Sequence, residues 1–303
     1  MSTATDRNFV GVLLKSLPLL FKSDVRDYYT FLGDDVVEGH ASGFRDPARS
    51  LWLNLGYWEE ARTYPDAAAA LAIQLGDAAQ LAPGKELLDV GFGFAEPDLF
   101  WLDHYNLKRI AGLNVTPLHV QRAQQRVRDR GLEDRMDLRL GSATEMPFED
   151  ESFDSVTALE CAFHFDTRER FFEEAYRVLR PGGTLALADG ATMPGARPPS
   201  WLNRQVLRRW GVPLANVYDA DEYCAKLGEQ GFEQIRKRSI RQHVFPGCAR
   251  YAEMRERGVS MEDAVVELSD QDIEQCYGAE RMKLTCLTDY LIFSATKPAA
   301  THS

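Results

Sequence analysis

The chain has 303 residues, 45% hydrophobic and 27% charged, which excludes collagen-like, disordered and miniprotein classes and leaves enough apolar material for a sizeable core. Lys+Arg 35 against Asp+Glu 46 gives a formal net charge of −11. That field repels DNA and RNA unless a local basic patch offsets it, so the expected partner is a small molecule and no nucleic acid.

The first apolar run, Phe9 to Phe21, is broken by Lys15 and Pro18 and falls short of the roughly 18 apolar residues a membrane span needs. It carries no charged leader or small-residue cleavage site, so an amphipathic helix, no membrane span and a cytoplasmic location are expected. Aromatic residues crowd the region before the first strand: Tyr28, Tyr29, Phe31, Trp52, Tyr57 and Trp58. Residues 1–80 therefore read as an N-terminal helical lid, and residues 81–303 as one elaborated core.

From Lys85 to Asp189, strand-length apolar runs alternate with helix-length amphipathic stretches, the pattern of a parallel sheet covered on both faces. Expected strands are Leu87 to Val90, Arg109 to Val115, Met136 to Leu140, Phe153 to Leu159 and Thr184 to Ala188. Helices are expected over Leu118 to Arg130, ended by Gly131, and over Arg168 to Leu179, ended before Pro181-Gly182-Gly183. Beyond Asp189, Met193 to Pro213 has four prolines with Trp201 and Trp210 and reads as an insertion over the sheet's carboxyl edge. Asp219 to Gln230 reads as a helix stopped by Gly231, Phe232 to Ile240 as a strand, Gly247 to Cys286 as polar helix, and Asp289 to Lys297 as a last strand. Cap insertions are thus placed at about 193–215 and 247–286. Five cysteines without a Cys-x-x-Cys pair suit reduced thiols, and His40, His104, His119 and His243 have no ligand spacing, so no metal is expected.

The chemistry concentrates at strand ends. Asp89-Val90-Gly91-Phe92-Gly93-Phe94-Ala95-Glu96 places two glycines between the first strand and a helix, where positive φ and a bare backbone let a ligand approach. A dinucleotide turn wants a third glycine where Glu96 stands, so a nicotinamide oxidoreductase is the disfavoured alternative. Asp89 and Glu96 instead favour a ligand with positive charge. After the fourth strand, Glu160-Cys161-Ala162-Phe163-His164 lies at the carboxyl edge; His164 is the candidate general base and Asp189, ending the next strand, the group that would orient it. Glu160 is a second acid–base candidate or a hydrogen-bond anchor. Each also has a structural reading, as a packed histidine, a turn residue and a buried polar group.

These motifs resemble the class I S-adenosylmethionine-dependent methyltransferases over roughly Leu51 to Gly190. The resemblance is carried by Asp89-Val90-Gly91-Phe92-Gly93, by Gly112-Leu113-Asn114-Val115-Thr116-Pro117 with Gln121 and Ala123, by Gly141-Ser142-Ala143-Thr144-Glu145-Met146-Pro147-Phe148 with Phe153-Asp154, and by Arg177-Val178-Leu179-Arg180-Pro181-Gly182-Gly183. The similarity is strongest to the small-molecule branch, with sterol- and ubiquinone-type enzymes and rebeccamycin-type sugar O-methyltransferases. It implies an α/β, Rossmann-like, doubly wound, mostly parallel seven-stranded sheet with an antiparallel last strand, and S-adenosyl-L-methionine as cofactor. Asp89, Gly91 and Gly93 would hold the methionine moiety, Asn114 the ribose hydroxyls with Gln121 close by, and Ser142 and Ala143 the adenine; Asn114 also reads as a turn residue opening a helix. Asn54-Leu55-Gly56-Tyr57-Trp58 resembles a segment of related enzymes that folds across the cofactor, with Tyr57 or Trp58 in contact. The rebeccamycin type has histidine and aspartate at the positions of His164 and Asp189. Methyl transfer to a small hydrophobic metabolite, O-methylation favoured, is the expected function, with C-methylation of an isoprenoid or polyketide as runner-up. The acceptor and the oligomeric state, a homo-oligomer included, are left open.

Overall fold

The computed structural model describes residues 51–195, 201–260, 263–269 and 289–299. The run from Phe9 to Phe21, Tyr28, Tyr29, Phe31, Cys276, Cys286 and, within the 247–286 insertion, residues 261–262 and 270–286 lie outside the described residues. Seven strands form one sheet: β1 (Glu86–Val90), β2 (Arg109–Asn114), β3 (Met136–Leu140), β4 (Phe153–Leu159), β5 (Leu179–Ala191), β6 (Glu233–Ser239) and β7 (Asp289–Thr296), in the order β3-β2-β1-β4-β5-β7-β6. β1 to β5 are mutually parallel where they pair, and β7 runs antiparallel to both β5 and β6. The winding reverses between β1 and β4, and the carboxyl ends of those two strands flank the crevice in which such sheets bind ligands.

Local chemistry sets the helices. α1 (Tyr64–Ala78) opens at Thr63, whose hydroxyl accepts from Asp66 N, with Pro65 in the first turn. α2 (Glu96–His104) follows the glycine turn directly, and α3 (Pro117–Asp129) starts on Pro117 and stops at Gly131, φ +63°. α4 (Arg168–Val178), α5 (Trp201–Arg209), α6 (Ala220–Glu229) and α7 (Arg241–Glu256) are the other α-helices among the described residues. The Asp219 carboxylate caps α6 by accepting from Asp221 N and Glu222 N, each at 3.0 Å.

Side-chain alternation splits the core in two, because neighbouring strand residues face opposite sides of the sheet. Leu87, Ile110, Ala186, Ala188 and Ile292 pack beneath α1, α2, α3 and α7, with Leu71, Trp101, Val120 and Tyr251. Leu88, Leu113, Val156, Leu187 and Phe293 pack beneath α4 and α6, with Phe171, Phe172 and Tyr223.

Two expectations change, and a third is decided. α1 sits inside the expected lid 1–80 yet packs on β4, β5 and β7 and buries Ala67, Ala68, Leu71, Ala72 and Leu75, so it belongs to the core. The polar helix expected from Gly247 begins at Arg241 and runs through Pro246. A proline there removes one ladder bond and invites a boundary in the sequence, but the helix passes tight against Trp58: a Cβ on Gly247 would collide with Trp58 Cγ, and Trp58 N donates to the His243 carbonyl at 2.6 Å. Trp52, Tyr57 and Trp58, for which a lid over the site and an aromatic core between N-terminal helices were both open, are buried in the core between α1 and α7.

Candidate active site

A cavity of about 300 Å³ opens at the carboxyl ends of β1, β2 and β4. Its floor is the turn after β1, where Gly91, Gly93 and Ala95 all have positive φ, at +78°, +55° and +58°. The two glycines are required here, since a Cβ on Gly91 would lie 2.6 Å from Cys161 Cβ and one on Gly93 would lie 2.8 Å from Leu53 Cδ1. Leu51, Leu53, Asn54 and Leu55, ahead of α1, also line the cavity.

The titratable group of the floor is the buried carboxyl of Asp89. Asp89 is 1% exposed and accepts from the Thr157 hydroxyl at 2.6 Å. Burial pushes its carboxyl well above the usual carboxylate range and the neighbouring Asp98 pushes it further, against the Thr157 bond, which favours the ionised form. Asp98, in the first turn of α2, is pushed up to about 7, again chiefly by burial. Neither of its oxygens finds a hydrogen-bond partner among the described residues. Bare backbone beside the Asp89 carboxyl, whose ionised form a cationic ammonium group would favour, fits the expected cofactor. Glu96 does not share in this: Arg126 on α3 binds its carboxylate at 2.6 Å and also donates to Phe94 O at 2.6 Å. The salt bridge draws Glu96 out of the cavity lining, which corrects its expected part in attracting the ligand.

Of the expected cofactor residues, Asp89, Gly91, Gly93, Asn114, Ser142 and Ala143 line this one cavity. Asn114 Oδ1 accepts from Thr116 N at 3.0 Å, so the oxygen opens α3 and the Nδ2 end is what remains for a ligand. Ser142 Oγ bonds Thr144 Oγ1 at 2.8 Å, inside a loop that Arg177 ties down through Met146 O and Phe148 O. Gln121 and Tyr57 are not brought in. Gln121 is exposed on α3, whose buried positions are His119, Val120, Ala123 and Val127. The Tyr57 hydroxyl donates to Glu59 at 2.6 Å and its ring packs 5.1 Å from His243, away from the cavity; burial, with Glu59 adding to it, raises this phenol to about 12.

His164 lines the cavity, on a 3-10 turn (Ala162–His164) after β4. Its Nδ1 lies 3.2 Å from Gly211 O; a carbonyl only accepts, so this bond calls for a proton on Nδ1, and the Trp210 carbonyl also acts on the ring. Burial lowers the imidazole to about 4, aided by the Arg168 charge. Asp189 does not orient it. The carboxylate is fully buried and committed elsewhere: Oδ2 accepts from Arg168 Nε at 2.8 Å and from the Tyr223 hydroxyl at 3.1 Å, and Oδ1 accepts from Gly190 N at 2.9 Å. Glu160, with φ +54°, faces the cavity but its Oε1 accepts from Leu55 N at 2.9 Å and from the Tyr290 hydroxyl at 2.6 Å. It fastens the segment before α1 to β7.

Several neighbours were not singled out from sequence. His119 lines the cavity against Phe94, 4.4 Å between ring centres. Arg168 is fully buried between the Tyr218 and Tyr223 rings and also donates to Gly190 O at 2.7 Å and to Asn216 O. The cavity's aromatics are Phe92, Phe94, Phe163 and Phe165 and not the flanking tryptophans. Only the placement of Phe163 and Phe165 beside His164 carried a signal in the sequence.

Comparison with known proteins adds an independent line. A family model described as a methyltransferase domain matches residues 88–187. The erythromycin 3''-O-methyltransferase of Saccharopolyspora erythraea is 35% identical over 259 residues, 82% of this chain and 84% of that protein. The 27-O-demethylrifamycin SV methyltransferase of Amycolatopsis mediterranei is 33% identical over 226 residues, 73% of this chain and 81% of that one. Among solved structures, the cyclase SpnF matches with a TM-score of 0.67 at 22% identity, covering 92% of this chain and 97% of SpnF, a shared fold.

Proposed function

The chain belongs to the class I S-adenosylmethionine-dependent methyltransferases, and from that premise we propose that it methylates a hydroxyl of a small, largely apolar metabolite, with His164 as the proton acceptor. Fold alone does not carry this reading, since a cyclase shares the architecture. What carries it is that His164 opens into the same cavity as Asp89, Gly91 and Gly93, so one chamber offers a donor site and a base.

S-adenosylmethionine is the cofactor, and when bound it supplies an electrophilic methyl carbon. Asp89 with the bare backbone of Gly91 and Gly93 would hold its amino-acid end, Asn114 Nδ2 a ribose hydroxyl, and Ser142 and Ala143 the adenine. Leu51, Leu53 and Leu55 line the cavity, and their apolar side chains would disfavour water beside a bound donor. His164, neutral because it is buried, takes the acceptor's proton on Nε2 without first having to lose one. Glu160 works as an anchor of the cover and not as a base.

An apolar acceptor is supported by the Phe92, Phe94, Phe163 and Phe165 lining, and oxygen as the acceptor atom by the two relatives' names. The same rings would also steady a carbocation, which keeps methylation of an alkene carbon as the second reading. Turnover of hydroxylated apolar metabolites with radiolabelled donor tests the base. His164→Ala should lower kcat by about 100-fold while S-adenosylhomocysteine affinity stays within about twofold, and an undiminished kcat would remove His164 from the chemistry.

A further inference from the structure

We propose that Asn216 is a positioning residue that, together with the Gly211 carbonyl, fixes the tautomer and orientation of His164 from the segment that follows α5. The proposal rests on the reading of His164 as the base and deepens it.

The geometry is a closed set of bonds. Asn216 is fully buried, and its Nδ2 donates to Phe163 O at 3.1 Å and to Phe165 O at 2.7 Å, the carbonyls on either side of His164. Its Oδ1 accepts from Arg168 N at 3.1 Å, at the start of α4. Both amide protons and the amide oxygen of one side chain therefore grip the turn that carries the imidazole. The ring is then met from the other side. α5 ends where Gly211 takes φ +64°, with Gly211 N donating to Arg208 O at 3.1 Å, and that glycine conformation aims the Gly211 carbonyl at His164 Nδ1. Asn216 and Gly211 are joined by a five-residue path whose 3-10 turn (Leu214–Asn216) is closed by Asn216 N donating to Pro213 O at 3.0 Å.

A neutral carbonyl at this place has a different effect from a carboxylate. It fixes the proton on Nδ1 equally well, but it brings no full negative charge to favour the imidazolium. Asp189, the carboxylate expected there, is held by Arg168. The pairing of Asp189 with Arg168 and the clamping by Asn216 are parts of one rearrangement, because Arg168 Nη1 also donates to the Asn216 carbonyl.

Long-range proton–nitrogen spectra of ¹⁵N-histidine-labelled full chain, with His164 identified by the signals lost in His164→Gln, read the tautomer without any acceptor. The wild type should carry its proton on Nδ1; a proton on Nε2 overturns the proposal outright, whether or not any variant folds. Asn216→Asp keeps the size and the acceptor for Arg168 N but loses both donations to the carbonyls. It should show a mixed or inverted tautomer and a kcat lower by about tenfold, as loss of buried hydrogen bonds implies, with S-adenosylhomocysteine affinity within about twofold. Asn216→Ala should do the same. A folded, cofactor-binding Asn216 variant with the wild-type tautomer and kcat would refute the positioning role, whereas an unimpaired His164→Gln would instead refute the base.

Discussion

Replacing Asp189 by Asn should damage the fold before it damages the chemistry. Asn keeps the shape of Asp189 but removes the charge that faces Arg168, and both side chains have no exposure at all. Arg168 is otherwise bonded to the neutral Gly190 and Asn216 carbonyls and lies 4.9 and 5.1 Å from the centres of the Tyr223 and Tyr218 rings. Stranding one buried charge typically costs about 3 to 5 kcal/mol. At roughly 2 °C per kcal/mol for a chain of this size, Tm should fall by about 6 to 10 °C. Thermal scans by circular dichroism measure this directly, beside His164→Gln as the control, which should lose turnover and leave Tm within about 2 °C. An Asp189→Asn protein with the wild-type Tm and a kcat as low as that of His164→Gln would mean that Asp189 serves the base after all.

Asp98 should make the fold less stable as pH rises. Its folded carboxyl is raised from 3.8 to about 7, so the fold binds this proton more tightly than the unfolded chain, and the contribution is full below about pH 4 and lost as pH climbs through 7. Urea unfolding of Asp98→Asn should lack that decline, and parallel pH curves for the two proteins would contradict the assignment. Gly91→Ala forces a side chain into φ +78° with its Cβ 2.6 Å from Cys161, and should cut S-adenosylhomocysteine affinity by more than about tenfold, since the left-handed conformation alone costs about 1 to 2 kcal/mol; calorimetric titration giving wild-type affinity would count against the turn. Gly93→Ala, strained at φ +55°, also meets the end of Leu53, so adding Leu53→Ala should restore part of the lost affinity, and a double variant that binds no better than the single one would contradict the contact. Because burial holds His164 near 4, kcat should stay flat from pH 7 down to 5, and an acid limb centred near 6.5 would show an ordinary imidazole instead.

The parallel half of the sheet was legible because its central strands are largely buried and so appear as short apolar-rich runs, such as Leu87 to Val90 with Asp89 alone breaking it, closed by turn residues. The glycine turn was legible for a related reason: only glycine tolerates φ +78° so close to Cys161. Partnership was not. Position at a strand's end told that His164 and Asp189 share the sheet's carboxyl edge, but not that Arg168, four residues beyond His164, would claim the carboxylate first, nor that Asn216 would supply the clamp. Gln121 could have been set aside from periodicity, because Val120, Ala123 and Val127 mark the buried stripe of α3 and position 121 turns off it. Tyr57 could not, since its neighbour His243 lies in a distant helix and the proline in α7 disguised that helix's start.

The claim that one cavity joins a methyl donor to a hydroxyl is tested most directly by incubating the chain with S-adenosylmethionine carrying a ¹³C methyl group and reading the bonding of that carbon in the product by NMR. A ¹³C methoxy group, formed by the wild type and nearly absent with His164→Ala, is the expected outcome. A label bound to carbon would contradict the account.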